Sequence, residues 1–319
     1  MDRREFIGTA AAAGLAAAAP WGCATLAARR RSSQTVPRRP LGRTGLDLPV
    51  IGFAGLVVAG MEQARADRTV AAAFDRGVDY FDVAPTYRDA EDRLGPALEP
   101  FRRRSFLACK TTQRKAAGAE QELHASLAKL RTDHFDLYQL HALRTPEDIE
   151  QAFGPGGAME TFLRAKEEGK VRFLGFSAHS VEAALAAMER FAFDAILFPV
   201  NYVAWWRGDF GPQVVTEAQR QGMGILALKS LCRQPWPEGA QRHHDPCWYE
   251  PVIDRDEARL ALSFTLDQGA TAAIPPANEE LFWLAVELAG GVRTLTAAEE
   301  TRLRQLAAGF QPLFRYPAT

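Results

Sequence analysis

The sequence has little of several features that would narrow its function class. Its 319 residues carry a formal net charge of -1, so no excess of positive charge marks a nucleic-acid surface, and we expect no nucleic-acid partner. No group of His, Cys, Asp or Glu shows convincing metal-ligand spacing, and we expect no metal. A composition of 47% hydrophobic and 24% charged residues is typical of an ordinary globular protein with a large core.

Cysteine is also scarce, with four in the chain, too few for a disulfide framework. Cys232 and Cys247 flank one loop, and either a disulfide or two free thiols fits their positions. Gly22-Cys23 hints at lipid attachment, but the preceding Pro20 and Trp21 fit a lipid-attachment motif poorly. We therefore expect no lipid anchor at Cys23.

The first thirty residues lack an apolar run suited to spanning a bilayer. They begin with Arg3-Arg4 and Phe6, continue as an Ala-, Gly- and Leu-rich stretch, and end in small residues. This pattern is typical of a secretory leader, and its arginine pair resembles the twin-arginine signal of folded-protein export. We predict a signal segment over residues 1–28, a linker over 29–37, the twin-arginine export machinery as a partner, and a periplasmic or otherwise exported protein with no stable membrane span after processing. A disordered or anchored tail is the alternative.

Beyond residue 38 the chain alternates between short strand-like runs and helical periodicity, eight times in succession. This predicts one α/β domain over residues 38–319, a (β/α)₈ TIM barrel. A doubly wound open sheet is the rival, but no G-x-G-x-x-G follows the first strand. The predicted strands are 50–53, 78–82, 106–110, 135–141, 171–177, 195–200, 225–229 and 271–274. The predicted helices are 66–76, 90–98, 118–130, 158–168, 181–190, 212–221, 257–268 and 279–288.

Additions to this repeat are expected at both ends of the domain and in two loops. A turn-rich pair of runs around residues 43–45 predicts an N-terminal β-hairpin, and a capping box at Thr296 predicts an extra C-terminal helix over 296–308. Insertions at 142–157 and 232–254 follow the fourth and seventh strands. Because barrel enzymes build their sites from such loops, both are candidate pocket walls.

Four ionisable side chains fall at or just beyond the ends of three successive strands. Asp82 and Tyr87 follow the second strand, Lys110 ends the third, and His141 ends the fourth. In a barrel these positions share one mouth. Lys110 would then lower the pKa of Tyr87, Asp82 would supply the counter-ion, and a neutral His141 would orient a carbonyl oxygen. The set suits an acid that protonates an oxygen as negative charge develops there.

Each residue also has an ordinary structural interpretation, as an ion pair, a loop anchor or a core histidine. The surrounding sequence decides between this interpretation and a catalytic role for the four residues. The stretches "GVDYFDVAPTY", "FLACKTT", "LRTDHFDLYQLHAL" and "GKVRFLGFSAHS" make the chain resemble the aldo-keto reductase family over about residues 38–230. The resemblance implies that the four residues form the family's catalytic tetrad, with Tyr87 as general acid for hydride transfer between a nicotinamide and an aldehyde or ketone.

The family's cofactor positions match less well. Ser177 is retained, but Ala178 stands where the family has Asn, and Pro199 where it has Gln. Lys229 is a candidate phosphate contact, Asn201 or His179 a substitute hydrogen-bond donor, and Tyr202 a candidate ring to stack on the nicotinamide. The family's 2'-phosphate arginine has no counterpart, since residues 277–291 contain neither Arg nor Lys. The resemblance thus implies NADP or NAD, with NAD a serious option.

The substrate is expected to be a small carbonyl or sugar-like molecule, with Trp205 and Trp206 forming one wall of its pocket. Two alternatives stay open. One is an internal-redox sugar enzyme that retains its nucleotide through the turnover. The other is a non-catalytic binding or sensory barrel, favoured by the departures at the cofactor positions.

Overall fold

The computed structural model describes residues 35–317. The predicted signal segment, Cys23 and most of the predicted linker lie outside the described residues. Within the described range, no helix is long and apolar enough to cross a membrane.

Eight parallel strands form the central sheet, which runs from residues 272–274 through 224–228, 195–199, 171–178, 135–143, 106–111 and 80–82 to 53–54. Its two outer strands meet through a bridge between Ile51 and Ala273, supported by hydrogen bonds from Gly52 N and to Val50 O. The sheet thus closes into a barrel, which confirms the predicted fold. The strands are β1 Arg38–Pro40, β2 Asp47–Pro49, β3 Phe53–Ala54, β4 Tyr80–Asp82, β5 Phe106–Thr111, β6 Phe135–Leu143, β7 Val171–Ala178, β8 Ala195–Pro199, β9 Gly224–Leu228, β10 Cys232–Pro235, β11 Tyr249–Pro251 and β12 Ala272–Ile274.

Helices surround the barrel because each crossover between parallel strands carries an amphipathic segment that covers the sheet. They are α1 Gln63–Asp75, α2 Ala90–Leu98, α3 Ala116–Lys129, α4 Pro146–Phe153, α5 Ala158–Glu167, α6 Val181–Arg190, α7 Tyr202–Gly208, α8 Pro212–Arg220, α9 Arg255–Asp267, α10 Glu279–Leu288 and α11 Ala297–Ala308. Short 3₁₀ turns cover Gly42–Thr44, Gly55–Val58, Glu99–Arg104 and Ala289–Gly291. The predicted helices agree with these bounds to within three residues.

Two helices were not predicted. α4 lies inside the insertion after the fourth barrel strand, where Thr145 and Asp148 form a capping box around the helix start. α7 follows Asn201, whose side chain caps its first turn. Both are short, at eight and seven residues, and one apolar period is too little to distinguish a helix from a loop by pattern.

Two antiparallel hairpins lie outside the barrel sheet. β1 and β2 pair around the turn at residues 43–45, which confirms the predicted N-terminal hairpin. The second hairpin, β10 with β11, lies within the predicted loop 232–254. Cys232 and Cys247 both belong to this region and are free, buried thiols.

Candidate active site

The barrel brings the four predicted residues to one end. β4, β5 and β6 are neighbours in the sheet, and Asp82, Lys110 and His141 lie at or near their carboxyl ends. Side chains of a barrel strand alternate between interior and exterior. Asp82 and Lys110 are accordingly buried inside the barrel, and Tyr87 stands on the loop that follows β4.

Lys110 is at the centre of this group. Its side chain is fully buried, and its ammonium contacts the Asp82 carboxylate and donates at 3.1 Å to the carbonyl oxygen of Val83. The same ammonium lies 5.0 Å from the centroid of the Tyr87 ring. A buried cation needs such partners, because leaving it unpaired costs several kcal/mol.

The groups around Lys110 keep its side chain charged. Burial alone lowers the pKa of Lys110, but Asp82 and Tyr87 outweigh it and the pKa is raised. Burial raises the pKa of Tyr87, and Lys110 opposes this effect only in part. The expectation that Lys110 brings the Tyr87 pKa below its ordinary value is therefore wrong here, because desolvation of the phenolate is the larger effect. Tyr87 remains a protonated acid.

His141 adds a neutral imidazole beside Tyr87. The two rings meet edge to face with 5.7 Å between centroids. Burial, followed by the charge of Lys110, lowers the pKa of His141 to about 3. A pKa this low leaves the ring neutral at ordinary pH. Its Nδ1 atom has no hydrogen-bond partner among the described residues.

A cavity of about 160 Å³ opens beside Tyr87. Strand ends on the far side of the mouth and the loop before β11 form the rest of its wall. It is lined by Ala54, Leu56, Asp82, Tyr87, Leu228, Lys229, Pro246, Cys247, Trp248, Tyr249, Ile274, Pro275, Pro276 and Ala277.

Lys229 lies in the wall of this cavity. Its ammonium is 5.0 Å and 4.8 Å from the ring centroids of Trp248 and Tyr249. Burial lowers its pKa, and within residues 35–317 no carboxylate acts against this shift. Its backbone has a left-handed φ of 66°, and its carbonyl oxygen accepts from the Asn201 side chain at 3.1 Å. A positioned cation without a counter-ion is suited to an anionic ligand.

Asn201 is a structural anchor, and its predicted contact to a cofactor is not supported by its position. Its Oδ1 accepts from the backbone amides of Val203 and Ala204, and its Nδ2 donates to the carbonyl oxygens of Lys229 and Cys232. These four bonds use the whole hydrogen-bonding capacity of the amide. Asn201 therefore acts on the site through the backbone of Lys229.

Tyr202 does not line the cavity beside Tyr87. It is fully buried at the start of α7, and its hydroxyl donates to Glu257 at 2.8 Å. The predicted stacking role is thus corrected to a packing role. The wrong assignment came from sequence position alone, since α7 turns this side chain towards α9.

Trp205 and Trp206 are likewise placed outside the barrel mouth. Both pack edge-on against Phe264 of α9, and the Arg304 guanidinium lies 4.2 Å from the Trp206 ring centroid. They border a separate cavity of about 350 Å³ between α7, α9 and α11. The prediction that they form a wall of the substrate pocket is corrected, because α7 points them away from Tyr87.

Ser177 stays close to the tetrad. It is buried near the end of β7, and its hydroxyl oxygen accepts from the backbone amide of Ala142 at 2.8 Å. This bond ties the residue after His141 to the neighbouring strand. It also leaves the hydroxyl proton free to donate.

A groove of about 520 Å³ adjoins the cavity and shares Leu56, Pro246 and Ala277 with it. Arg65 and Arg68 of α1 line this groove beside the start of α10. Arg65 is paired with Glu279 at 2.5 Å. Cations thus line this groove from α1, whereas segment 277–291 itself contains neither Arg nor Lys.

Sequence reasoning also missed two side chains around the tetrad, Tyr80 and Gln139, and it did not predict the packing of His179. Tyr80 and Gln139 contact the Asp82 carboxylate from inside the barrel. Alternation was an available signal, because Gln139 precedes His141 by two residues and so faces the same side. His179 lies at the mouth and stacks on Phe314 of the C-terminal tail, with 5.7 Å between centroids. That contact spans too much sequence for any local pattern.

Comparison with known proteins agrees with this geometry. The model of the aldo/keto reductase family matches residues 50–277. Aldo-keto reductase YhdN of Bacillus subtilis is 28% identical over 66% of this chain and 67% of its own length. L-galactose dehydrogenase of Arabidopsis thaliana is 27% identical over 60% of this chain, and the match spans 65% of its length. The uncharacterized oxidoreductase YqkF of Bacillus subtilis is 30% identical over 44% of this chain, about half of its own length.

Solved structures give the same fold. The holo form of aldo-keto reductase AKR11C1 from Bacillus halodurans superposes with a TM-score of 0.69 at 22% identity, covering 88% of this chain and 99% of that one. Its apo form gives a TM-score of 0.64 with the same identity and coverage. With barrel, strand-end residues and family match in agreement, the chain belongs to the aldo/keto reductase family of oxidoreductases.

Proposed function

We propose that this protein reduces an aldehyde or ketone, or oxidises the corresponding alcohol, with a nicotinamide dinucleotide and with Tyr87 as general acid and base. The observation that carries the proposal is the buried Asp82–Lys110 pair next to Tyr87, with the His141 ring in edge-to-face contact with the phenol. A structural ion pair alone would not require a phenol and an imidazole at the same mouth.

Each residue has a distinct task in this scheme. His141 donates a hydrogen bond to the carbonyl oxygen and orients it towards the Tyr87 hydroxyl. Tyr87 gives its proton to that oxygen as negative charge develops. Lys110 stabilises the phenolate that remains, and Asp82 keeps Lys110 charged while it is buried. In alcohol oxidation the same groups work in reverse.

The residues around the cavity fit a nicotinamide dinucleotide, which when bound supplies or accepts the hydride. The cavity beside Tyr87 continues into the groove along α1 and α10, so an elongated ligand has a path from the tetrad to the surface. Lys229 offers an unpaired cation for its phosphates, and Ser177 a free hydroxyl proton for its carboxamide. Arg65 and Arg68 border the outer groove, which makes NADP as compatible as NAD.

The relatives favour a sugar-like substrate. L-galactose dehydrogenase, the 6-dehydroglucose reductase of Novosphingobium aromaticivorans and the D-threo-aldose 1-dehydrogenase of a Pseudomonas species all carry sugar substrates in their names. We extend this class to the present chain as a proposal. An internal-redox reaction on a sugar, with the dinucleotide retained, belongs to the same class.

The test combines a nucleotide inventory with turnover. Mass spectrometry of the natively purified protein, followed by NADH and NADPH titrations, should show a bound or binding nicotinamide dinucleotide. The protein is then assayed with NADPH or NADH and a panel of aldoses and keto-sugars, and oxidation of the dinucleotide should show turnover. Absence of both binding and retained nucleotide would refute the redox function and favour a binding or sensory barrel. Turnover without release of reduced dinucleotide would identify the internal-redox form.

We also propose export by the twin-arginine pathway, on the basis of Arg3 and Arg4 in the leader. Export in the folded state would allow the dinucleotide to be loaded in the cytoplasm. Cell fractionation tests this with the pair Arg3→Lys and Arg4→Lys, which should retain the protein in the cytoplasm. The matched pair Arg30→Lys and Arg31→Lys, beyond the leader, should leave the distribution unchanged.

A further inference from the structure

The Asp82 carboxylate has a second set of partners beneath its contact with Lys110. Its Oδ1 atom accepts from the Tyr80 hydroxyl at 3.5 Å and from Gln139 Nε2 at 3.4 Å, while its Oδ2 atom contacts Lys110. Burial raises the pKa of Tyr80 well above its ordinary value, so this hydroxyl stays a donor. Tyr80, Asp82 and Gln139 come from β4 and β6, the two strands that flank Lys110 on β5.

Tyr80 and Gln139 are completely buried, so neither can contact a substrate at the mouth. Gln139 is the register partner of Lys110 on the adjacent strand, which places both side chains at one level of the barrel. Tyr80 stands one layer below Asp82 on the same strand. The two donors therefore hold the carboxylate from the side opposite to the cavity.

Two glycines lie next to the Tyr80 and Gln139 side chains, Gly52 beside the former and Gly175 beside the latter. A Cβ atom at Gly52 would lie 2.6 Å from the Tyr80 ring, too close for any packing. One at Gly175 would lie 3.3 Å from Gln139 Cγ and 2.8 Å from the carbonyl oxygen of Ala195. The Tyr80 ring thus occupies space that is free because residue 52 is glycine, while Gly175 is required first by the Ala195 carbonyl and Leu137 and lies next to Gln139.

This arrangement costs stability. Bulky apolar side chains normally fill barrel interiors, and a buried polar atom without a partner is unfavourable. Among the described residues nothing bonds to Oε1 of Gln139. A polar layer that is incompletely satisfied, placed directly below the tetrad, is more easily explained by a task at the site than by packing.

We propose that Tyr80 and Gln139 are positioning residues for proton transfer, which hold Oδ1 of Asp82 so that its Oδ2 faces Lys110 and the carboxylate stays ionised. This inference rests on the proposed function of the tetrad. Because desolvation favours a neutral Asp82, the two donors counteract a real tendency. Without them Asp82 takes up the Lys110 proton more readily, and Lys110 then supports the Tyr87 phenolate less well.

The test removes each donor while keeping the shape of its side chain. Tyr80→Phe and Gln139→Met should each lower kcat by about 3- to 30-fold, with the dinucleotide Kd unchanged. Carbon-13 NMR titration of the Asp82 carboxyl should show its pKa raised by about half a unit or more in both variants. The matched control is Tyr138→Phe, since Tyr138 is a buried tyrosine of β6 whose hydroxyl has no partner in the described part of the chain.

The outcomes separate this inference from the function it rests on. If Tyr80→Phe and Gln139→Met match the unmodified protein in kcat and in the Asp82 titration, the positioning role is wrong. Equal losses in Tyr138→Phe would also overturn it, by pointing to general packing. If the unmodified protein turns over no carbonyl compound, the redox proposal fails, and the Asp82 titration alone still decides whether Tyr80 and Gln139 hold the carboxylate.

Discussion

The rings of Tyr87 and His141 meet edge to face, with 5.7 Å between their centroids, at the mouth of the barrel. The two residues are far apart in sequence, and both are uncharged in their partly buried setting. The contact places the imidazole directly beside the phenol ring, and Tyr87 also lines the cavity. The Lys110 ammonium, paired with Asp82, lies next to the Tyr87 ring.

Tyr87→Phe should lower carbonyl reduction by about 10²- to 10⁴-fold, because the variant lacks the proton donor. Dinucleotide affinity should stay unchanged, since the ring remains in place. Steady-state kinetics and a fluorescence titration measure the two quantities. Tyr138→Phe, which removes a hydroxyl remote from the cavity, should keep normal turnover. Full activity in Tyr87→Phe would reject the proton-donor role.

Asp82→Asn should destabilise the fold by about 3–5 kcal/mol, because it leaves the Lys110 ammonium buried without its counter-ion. Urea denaturation measures the loss. The double variant Asp82→Asn with Lys110→Met should recover much of the stability, since the unpaired charge is then gone. Should the single and double variants lose the same amount, the pair is not coupled in the way the buried contact indicates.

Stability should fall as the pH drops from about 6.5 towards 4, in part because of His179. Burial lowers the pKa of His179 to about 4, and that of His141 to about 3. In this window the unfolded chain takes up protons that the folded protein does not, so protonation favours unfolding. His179→Gln should flatten the profile by up to about 3 kcal/mol between these pH values. An unchanged slope in His179→Gln would show that this ring does not carry the pH dependence.

Arg68→Gln should weaken NADPH binding by about tenfold and leave NADH binding unchanged, because a 2'-phosphate in the groove beside α10 would lose a cation. The ratio of the two dissociation constants is the measurement. Arg302→Gln, which removes an exposed arginine on α11, should alter neither. An unchanged ratio in Arg68→Gln would show that α1 does not read the 2'-phosphate.

Trp206→Leu should leave the substrate KM unchanged and lower stability by about 2 kcal/mol. Its ring packs on Phe264 and beneath Arg304, away from the tetrad. Enzyme kinetics and urea denaturation on the same preparation test both statements. A KM that rises several-fold with stability intact would return Trp206 to the substrate pocket.

Much of the fold could be predicted because a barrel repeats one unit. Each strand and helix of that unit carries its own periodicity, and Gly77 or Gly169 marks a helix end in the expected left-handed conformation. The tetrad followed from the same regularity, since residues at the ends of neighbouring parallel strands must converge. No separate knowledge of the contacts was needed for Asp82, Lys110 and His141.

The incorrect residue assignments depended on where the side chains point beyond the ends of the strands. Asn201, Tyr202 and Trp206 follow β8 closely, but α7 starts at once and turns them towards α9 and the backbone of Lys229. A helix of seven residues is too short for its sequence pattern to predict which way its side chains face. The predicted direction of the shift in the Tyr87 pKa was wrong for another reason. The shift depends on the balance between burial and the neighbouring charge, and the sequence does not give the degree of burial.

The C-terminal tail packs across the same face as the mouth. Phe314 stacks on Phe210 and on His179, and the backbone amide of Tyr316 donates to Gly208 at 2.7 Å. A purification tag or fusion partner attached behind this tail would therefore be joined to a segment that packs on His179, beyond the carboxyl end of β7. Expression designs intended for kinetics should place such additions elsewhere, or carry a protease site that removes them before assay.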